Sequence, residues 1–119
     1  MSKLFFSLLF LVLVISSCKD KEVEENLLMG HWTLTEGFRK NKPSKMLDGI
    51  YFNLESPAKV TTNFMGAEAR GTFALEQKNL TIDTGGQKTK FKVKELTENT
   101  LTLETTIQGI PFRFVLERK

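Results

Sequence analysis

The residues able to do chemistry are few and far apart. Cys18 and His31 are the only cysteine and the only histidine among 119 residues. Zinc is held by three or four protein ligands, mostly Cys and His, and this pair cannot supply them. A lone cysteine also excludes an internal disulfide. A nucleophilic triad needs a base oriented by a third group. His31, placed between Gly30 and Trp32, points outward if Trp32 points inward, and so reads as surface. Glu36 is the one carboxylate on the apolar parity of its segment. General acid–base work would require a partner group that no spacing provides, so a bulge or a position at the mouth of the fold accounts for it. What remains is electrostatic: Arg39, Lys40, Lys42 and Lys45 place four cations within seven residues, able to attract an anion or to solvate a loop. The chain is therefore not expected to be an enzyme, and no cofactor or metal is expected.

The elements around these residues begin with an apolar run from Leu4 to Ile15, broken by Ser7 and preceded by Lys3. As a helix it would extend about 18 Å, short of the roughly 30 Å hydrocarbon core of a bilayer. A charged start, a short apolar stretch and small residues at its end form a secretory signal peptide over residues 1–17. Ile15-Ser16-Ser17-Cys18 resembles the lipobox of bacterial lipoproteins, with Ile in place of the commoner Leu. That resemblance implies cleavage before Cys18, lipidation of Cys18, and attachment to the membrane of a bacterial cell envelope. The outer membrane, on its periplasmic or surface face, is the expected location. Several acyl chains would hold the protein durably where one would not. Residues 18–26 are mostly charged and cannot bury an apolar face, so they read as the lipidated cysteine and a flexible tether. The acidic residues within this segment also resemble a surface-export signal, although lysines interrupt them.

From Leu27 to Lys119 apolar residues alternate with polar ones between turn residues, and no helical period is sustained. The spacing predicts eight strands, at 30–38, 48–55, 58–65, 69–76, 79–84, 88–95, 100–107 and 110–117. Short connections make successive strands antiparallel neighbours. A two-residue turn at Gln108-Gly109 pairs Ile107 with Ile110, Leu103 with Phe114 and Leu101 with Leu116. A loop over 76–79 sets Leu75 opposite Leu80, and a four-residue loop around Gly85-Gly86 sets Ile82 opposite Phe91. Val93 facing Leu103 puts Lys92 across from Glu104. A meander with one buried face leaves two open edges, and closure into an eight-stranded up-and-down antiparallel β-barrel removes them. Closure brings Trp32 against Arg118, a stack worth about 0.5–2 kcal/mol.

Together, Gly30-His31-Trp32, Gly71-Thr72-Phe73-Ala74-Leu75, Asn79-Leu80-Thr81-Ile82, Thr100-Leu101-Thr102-Leu103-Glu104 and the late Arg118 resemble the lipocalin superfamily, in particular the short lipocalin-like domains of bacterial lipoproteins. The resemblance covers 27–119 and makes Gly30, Trp32 and Arg118 its structural signature. It implies that the first loop lies over the barrel mouth, which would set Arg39, Lys40 and Lys42 beside an apolar rim. By strand position that rim contains Phe38, Ile50, Phe64, Ile107, Ile110 and Phe112. A small hydrophobic ligand, or an anionic amphiphile such as a fatty acid, would suit such a mouth. The alternative is a barrel filled by its own side chains that serves as an interaction or inhibitor module for an envelope protein or polysaccharide. An eight-stranded barrel is just wide enough for either. The formal charge of +3 is mild and scattered, so nucleic acid is not an expected partner. A monomer is expected.

Overall fold

The strands form where apolar residues occupy every second position, and several of the turns between them hold residues at positive φ. A computed structural model describes residues 24–119. The segment 1–17 read as a signal peptide, Cys18 and the first part of the segment read as a tether lie outside the described residues. A one-turn helix α1 (Glu25–Leu28) includes the last residues read as tether and leads into β1 (Gly30–Arg39). There follow β2 (Lys42–Pro43), a 3-10 turn (Lys45–Leu47), β3 (Tyr51–Glu55), β4 (Lys59–Thr62), β5 (Ala69–Glu76), β6 (Asn79–Thr84), β7 (Gln87–Leu96), β8 (Thr100–Ile107) and β9 (Ile110–Arg118).

Each strand from β3 to β9 pairs antiparallel with the next, β3 pairs with β1, and β1 pairs with β9, which closes an eight-stranded barrel. The extra strand β2 folds back on the far end of β1, through Phe38↔Pro43 and Arg39↔Lys42. The turn between them, at Lys40-Asn41, holds φ values of 54° and 65°. Register places the turns 55–58, 77–78 and 97–99 at the pole where β1 begins. The loops 40–50, 63–68, 85–86 and 108–109 lie at the opposite pole.

The last hairpin keeps the expected register, Ile107↔Ile110, Leu103↔Phe114 and Leu101↔Leu116, around Gln108-Gly109. Both turn residues have positive φ, 52° and 79°, as a type I′ turn requires. Leu75 faces Leu80, Val93 faces Leu103, and Lys92 faces Glu104. The turn at Gly85-Gly86 differs from expectation. It is a two-residue connection with Thr84 paired to Gln87, so Leu80 rather than Ile82 faces Phe91. The shift is by two residues, and because side chains alternate with period two, every inward residue stays inward.

β1 departs more consequentially. A bulge between Leu34 and Glu36 inserts an extra residue against β9, after which Glu36 pairs with Val115, Gly37 with Phe114, Phe38 with Arg113 and Arg39 with Phe112. One extra residue reverses the parity of everything beyond it. Glu36 thus leaves the interior parity and is exposed. Phe38, expected inward at the mouth, lies on the outer face, and Arg39 takes the inward register position at the rim. Gly37, between Glu36 and Phe38, fills an inward position, and a Cβ there would lie 2.7 Å from Cβ of Leu47 in the 3-10 turn.

The core comprises Leu28, Trp32, Ile50, Phe52, Leu54, Val60, Phe73, Leu80, Ile82, Phe91, Val93, Leu101, Leu103, Phe114 and Leu116, with Leu34, Leu47, Phe64, Leu75 and Phe112 packed against it at half-buried positions. Among the described residues the buried polar side chains are two threonines whose hydroxyls are satisfied. Thr62 Oγ1 donates to the Tyr51 carbonyl at 2.7 Å, and Thr105 Oγ1 to the Lys90 carbonyl at 2.6 Å. Among the described residues no buried side-chain polar atom lacks a partner, as a native interior demands.

Candidate functional site

At the pole where β1 starts, Trp32 is fully buried and its Nε1 donates to the Leu28 carbonyl at 2.9 Å. The guanidinium carbon of Arg118 lies 4.3 Å from the Trp32 ring centroid. Arg118 also donates from Nη2 to the Leu27 carbonyl at 2.5 Å, from Nη1 to the Met29 carbonyl, and from Nε to the Glu98 carbonyl at 2.7 Å. One side chain therefore ties α1, the β7–β8 turn and the indole together. It satisfies carbonyls at the end of a helix that has no fifth residue to receive them. Gly30, Trp32 and Arg118 come together as expected, and they seal this pole. Leu28, which the strand pattern missed, completes the seal. Its only signal was the apolar triplet Leu27-Leu28-Met29 directly before Gly30.

The lumen is occupied by phenylalanines. Phe52 stacks on Phe64 with centroids 5.6 Å apart, and both meet Phe91 edge-on at 5.7 Å and 5.3 Å. Phe114 lies 6.2 Å from Phe52 and 6.3 Å from Phe91, and it stacks on Phe112 at 6.3 Å. These separations are those of favourable aromatic pairs, each contributing about 0.5–1.5 kcal/mol beyond burial. Two of the residues expected at the mouth, Phe64 and Phe112, are thus members of this cluster, and a third, Ile50, is buried in the core.

At the open pole Ile107 and Ile110 face each other, half-buried, at the tip of the last hairpin. Leu47 reaches from the first loop onto Gly37 and packs against the core. Arg39, Lys40 and Lys42 are exposed on the β1–β2 hairpin, which the Lys40 N–H fastens to the Pro111 carbonyl at 2.9 Å. Met46 and Met65, 88% and 46% exposed, project from two loops of the same pole. Exposed methionine is an adaptable apolar contact surface.

Among the described residues, clefts lie on the outside of the barrel at two places that bear on function. The first, of about 270 Å³, runs beside the rim over β7, β8, β9 and β1 and contains Phe38, Asn41, Lys92, Glu104, Pro111 and Arg113. The guanidinium carbon of Arg113 sits 4.2 Å from the Phe38 ring centroid. The second, of about 760 Å³, is an open trough along β3, β4 and β5 with Asn53, Glu55, Lys59, Thr61, Arg70 and Thr72 along it. Beside it His31 stacks on Tyr51, centroids 5.8 Å apart, and the Tyr51 hydroxyl donates to Glu68 Oε2. That hydrogen bond, with lesser contributions from desolvation and the Glu68 charge, raises the Tyr51 pKa above its ordinary value. His31 is on the surface as its spacing implied. Arg113 and the Tyr51–Glu68 pair escaped the sequence reading, the first because a bulge set its neighbour and the second because the pair spans a loop.

Among the described residues no three His, Cys, Asp or Glu side chains come together to hold a metal ion, and no helix is long and apolar enough to cross a membrane. The profile of the lipocalin-like domain matches residues 16–103. A lipocalin-like protein from Bacteroides uniformis shares the fold, with a TM-score of 0.61 and 18% identity over 78% of this chain and 99% of that one. An uncharacterized protein from Bacteroides eggerthii does so with a TM-score of 0.60 and 18% identity over 76% of this chain and 98% of that one. No curated protein matches the chain. With the profile spanning most of the sequence and the barrel sealed by its glycine, tryptophan and arginine, the chain belongs to the lipocalin-like domain family.

Proposed function

We propose that the protein is a lipid-anchored, non-catalytic binding module of a bacterial cell envelope. Its barrel interior serves stability, and it acts by presenting its outside to an envelope protein or polysaccharide. The observation that carries this reading is the packed lumen, in which Phe52, Phe91 and Phe114 are at most 2% exposed and in mutual aromatic contact. A ligand entering the barrel would have to displace rings whose burial is worth about 1.5–3 kcal/mol each. The lipobox at Cys18 supports the anchor and the envelope location.

The test is native mass spectrometry of the soluble form, residues 19–119, after exposure to a lipid extract of the membrane. The expected spectrum contains the bare protein alone. One lipid retained per chain, lost when Phe91 is enlarged to Trp, would overturn the filled-barrel reading.

A second reading has one observation in its favour. The β1 bulge turns Phe38 outward into the rim cleft, where it meets Arg113 and where Lys92 stands nearby. Bulges often re-aim a side chain beside a functional site. An anionic amphiphile would lay its chain on Phe38 and Pro111 and its head group against Arg113 at the rim, since Glu104 stands between Arg113 and Lys92. In the same experiment this would appear as a fatty acid retained by the wild type and released by Phe38→Ala, while Phe91→Trp left it bound.

A further inference from the structure

We infer that the outer wall formed by β3, β4 and β5 is a binding face for a neutral glycan chain. The inference rests on the reading that the barrel acts through its outside, and it adds the place and the chemistry. Register puts His31, Asn53, Thr61 and Arg70 in one row across four strands, and Glu55, Lys59 and Thr72 in the next. The trough between them has a volume of about 760 Å³, within the range of about 300–1,000 Å³ usual for small-molecule sites. It is open to solvent rather than enclosed, which suits a chain better than a molecule that must be engulfed. At Gly71, where a Cβ would overlap the Asp83 carbonyl, β5 passes from β4 to β6. A glycine of this kind marks a corner in a barrel wall.

The composition of the wall selects the ligand. Around the trough Glu55 and Glu68 balance Lys59 and Arg70, and Glu76 at the end of β5 adds one negative charge to the wall, so there is no excess of cations. An anion site would show the excess of cations seen in the first loop. A sugar hydroxyl both donates and accepts, and it is met best by carboxylates and cationic donors interspersed with amides and hydroxyls. The wall provides this mixture in Asn53, Thr61 and Thr72 along with the four charged groups. Sugar rings also present flat C–H faces, for which the stacked His31–Tyr51 pair offers a large apolar surface with polar edges.

Part of this wall, Tyr51 with Glu68 and Asn53 with Glu55, is held before any ligand arrives. Asn53 Nδ2 donates to Glu55 Oε1 at 3.3 Å, the Tyr51 hydroxyl donates to Glu68, and the Tyr51 N–H donates to Asn63 Oδ1 at 2.9 Å. Side chains fixed in advance on strands rather than loops lose less entropy on binding.

The test uses the full chain, labelled with 15N, in a zwitterionic detergent that has no sugar head group. Cellopentaose, maltopentaose and triacetylchitotriose are titrated separately to about 10 mM, enough to register a Kd near 1 mM. At least one of them is expected to shift the signals of Tyr51, Asn53, Thr61 and Arg70 and to leave those of Phe38 and Lys40 in place. Tyr51→Ala is expected to weaken that binding about tenfold or more, equivalent to about 1.4 kcal/mol. Arg70→Met should weaken it while leaving the Trp32 indole signal of the folded barrel unchanged. Absence of shifts with all three sugars, shifts confined to the mouth, or binding unchanged by both substitutions would overturn the proposal. A lumen found occupied by lipid would instead count against the filled-barrel reading, so the two failures are distinguishable.

Discussion

Gly30 and Arg118 are fitted to each other: a Cβ added to Gly30 would overlap Nη1 of Arg118. Gly30 also holds a φ of +140°, which a side chain would strain. The missing side chain lets the guanidinium lie flat on Trp32 and reach the Leu27 and Met29 carbonyls. The glycine-x-tryptophan pattern and the late arginine therefore form one device rather than two separate features.

Gly30→Ala should destabilise the barrel by about 1–3 kcal/mol through strain at that φ, with displacement of Arg118 adding to it. Arg118→Ala should cost about 2–4 kcal/mol, combining the lost stack with carbonyls left unpaired. In urea denaturation the double variant should lose less than the sum of the two, because the overlap disappears once the guanidinium is gone. Strict additivity would show that the two positions act independently.

Phe91→Ala should cost about 3–5 kcal/mol, since its ring touches three others and the closed wall cannot collapse into the gap. The new space would be lined by Phe52, Phe64 and Phe114, so it should stay dry and accept benzene. Benzene should then raise the Tm of the variant and leave that of the wild type unchanged. An equal rise in both would mean that the native lumen already has room.

Tyr51 is the only tyrosine, so the ultraviolet absorbance of tyrosinate reports it alone. The Glu68 carboxylate accepts a hydrogen bond from the Tyr51 hydroxyl and so raises the hydroxyl's pKa above the ordinary value of 10.0. A pKa raised on folding means that the stabilisation is fully present below the unfolded value. It is lost as pH rises through the folded one. The titration should fall back toward the ordinary value in Glu68→Gln, where the acceptor is uncharged. An unchanged midpoint would place the hydroxyl away from Glu68 in solution.

Cys18→Ala in the producing bacterium should abolish incorporation of labelled palmitate and move the protein from the membrane fraction to the soluble one. The barrel should be unaffected, since its core begins at Leu28. Retention in the membrane fraction would argue for another mode of attachment.

Much of the barrel was legible because alternation with period two states which residues turn inward, and a slip by two at Gly85-Gly86 leaves that statement intact. The last hairpin was legible to the residue, since Gln108-Gly109 allows one tight turn and Ile107 and Ile110 flank it. The seal at Arg118 followed from closure and parity alone. What alternation cannot fix is a single inserted residue: Glu36 on the apolar parity is compatible with a bulge or with a position at the mouth, and without the bulge Phe38 keeps the inward parity that the structure gives to Gly37 and Arg39. The outer-wall features were harder still. The proximity of Tyr51 to Glu68, or of Phe38 to Arg113, depends on which strands are neighbours and in what register, and that is fixed by the whole barrel rather than by local sequence.

Both ends of the described chain meet at one pole, with α1 and the last residues of β9 bound to the same guanidinium. A stalk or fusion attached at either terminus would therefore leave the opposite rim unobstructed. Its loops, 40–50, 63–68, 85–86 and 108–109, can lengthen, shorten or change composition without disturbing the clasp that holds the cylinder shut. Variation in this architecture has a free crown to explore while the base stays constant.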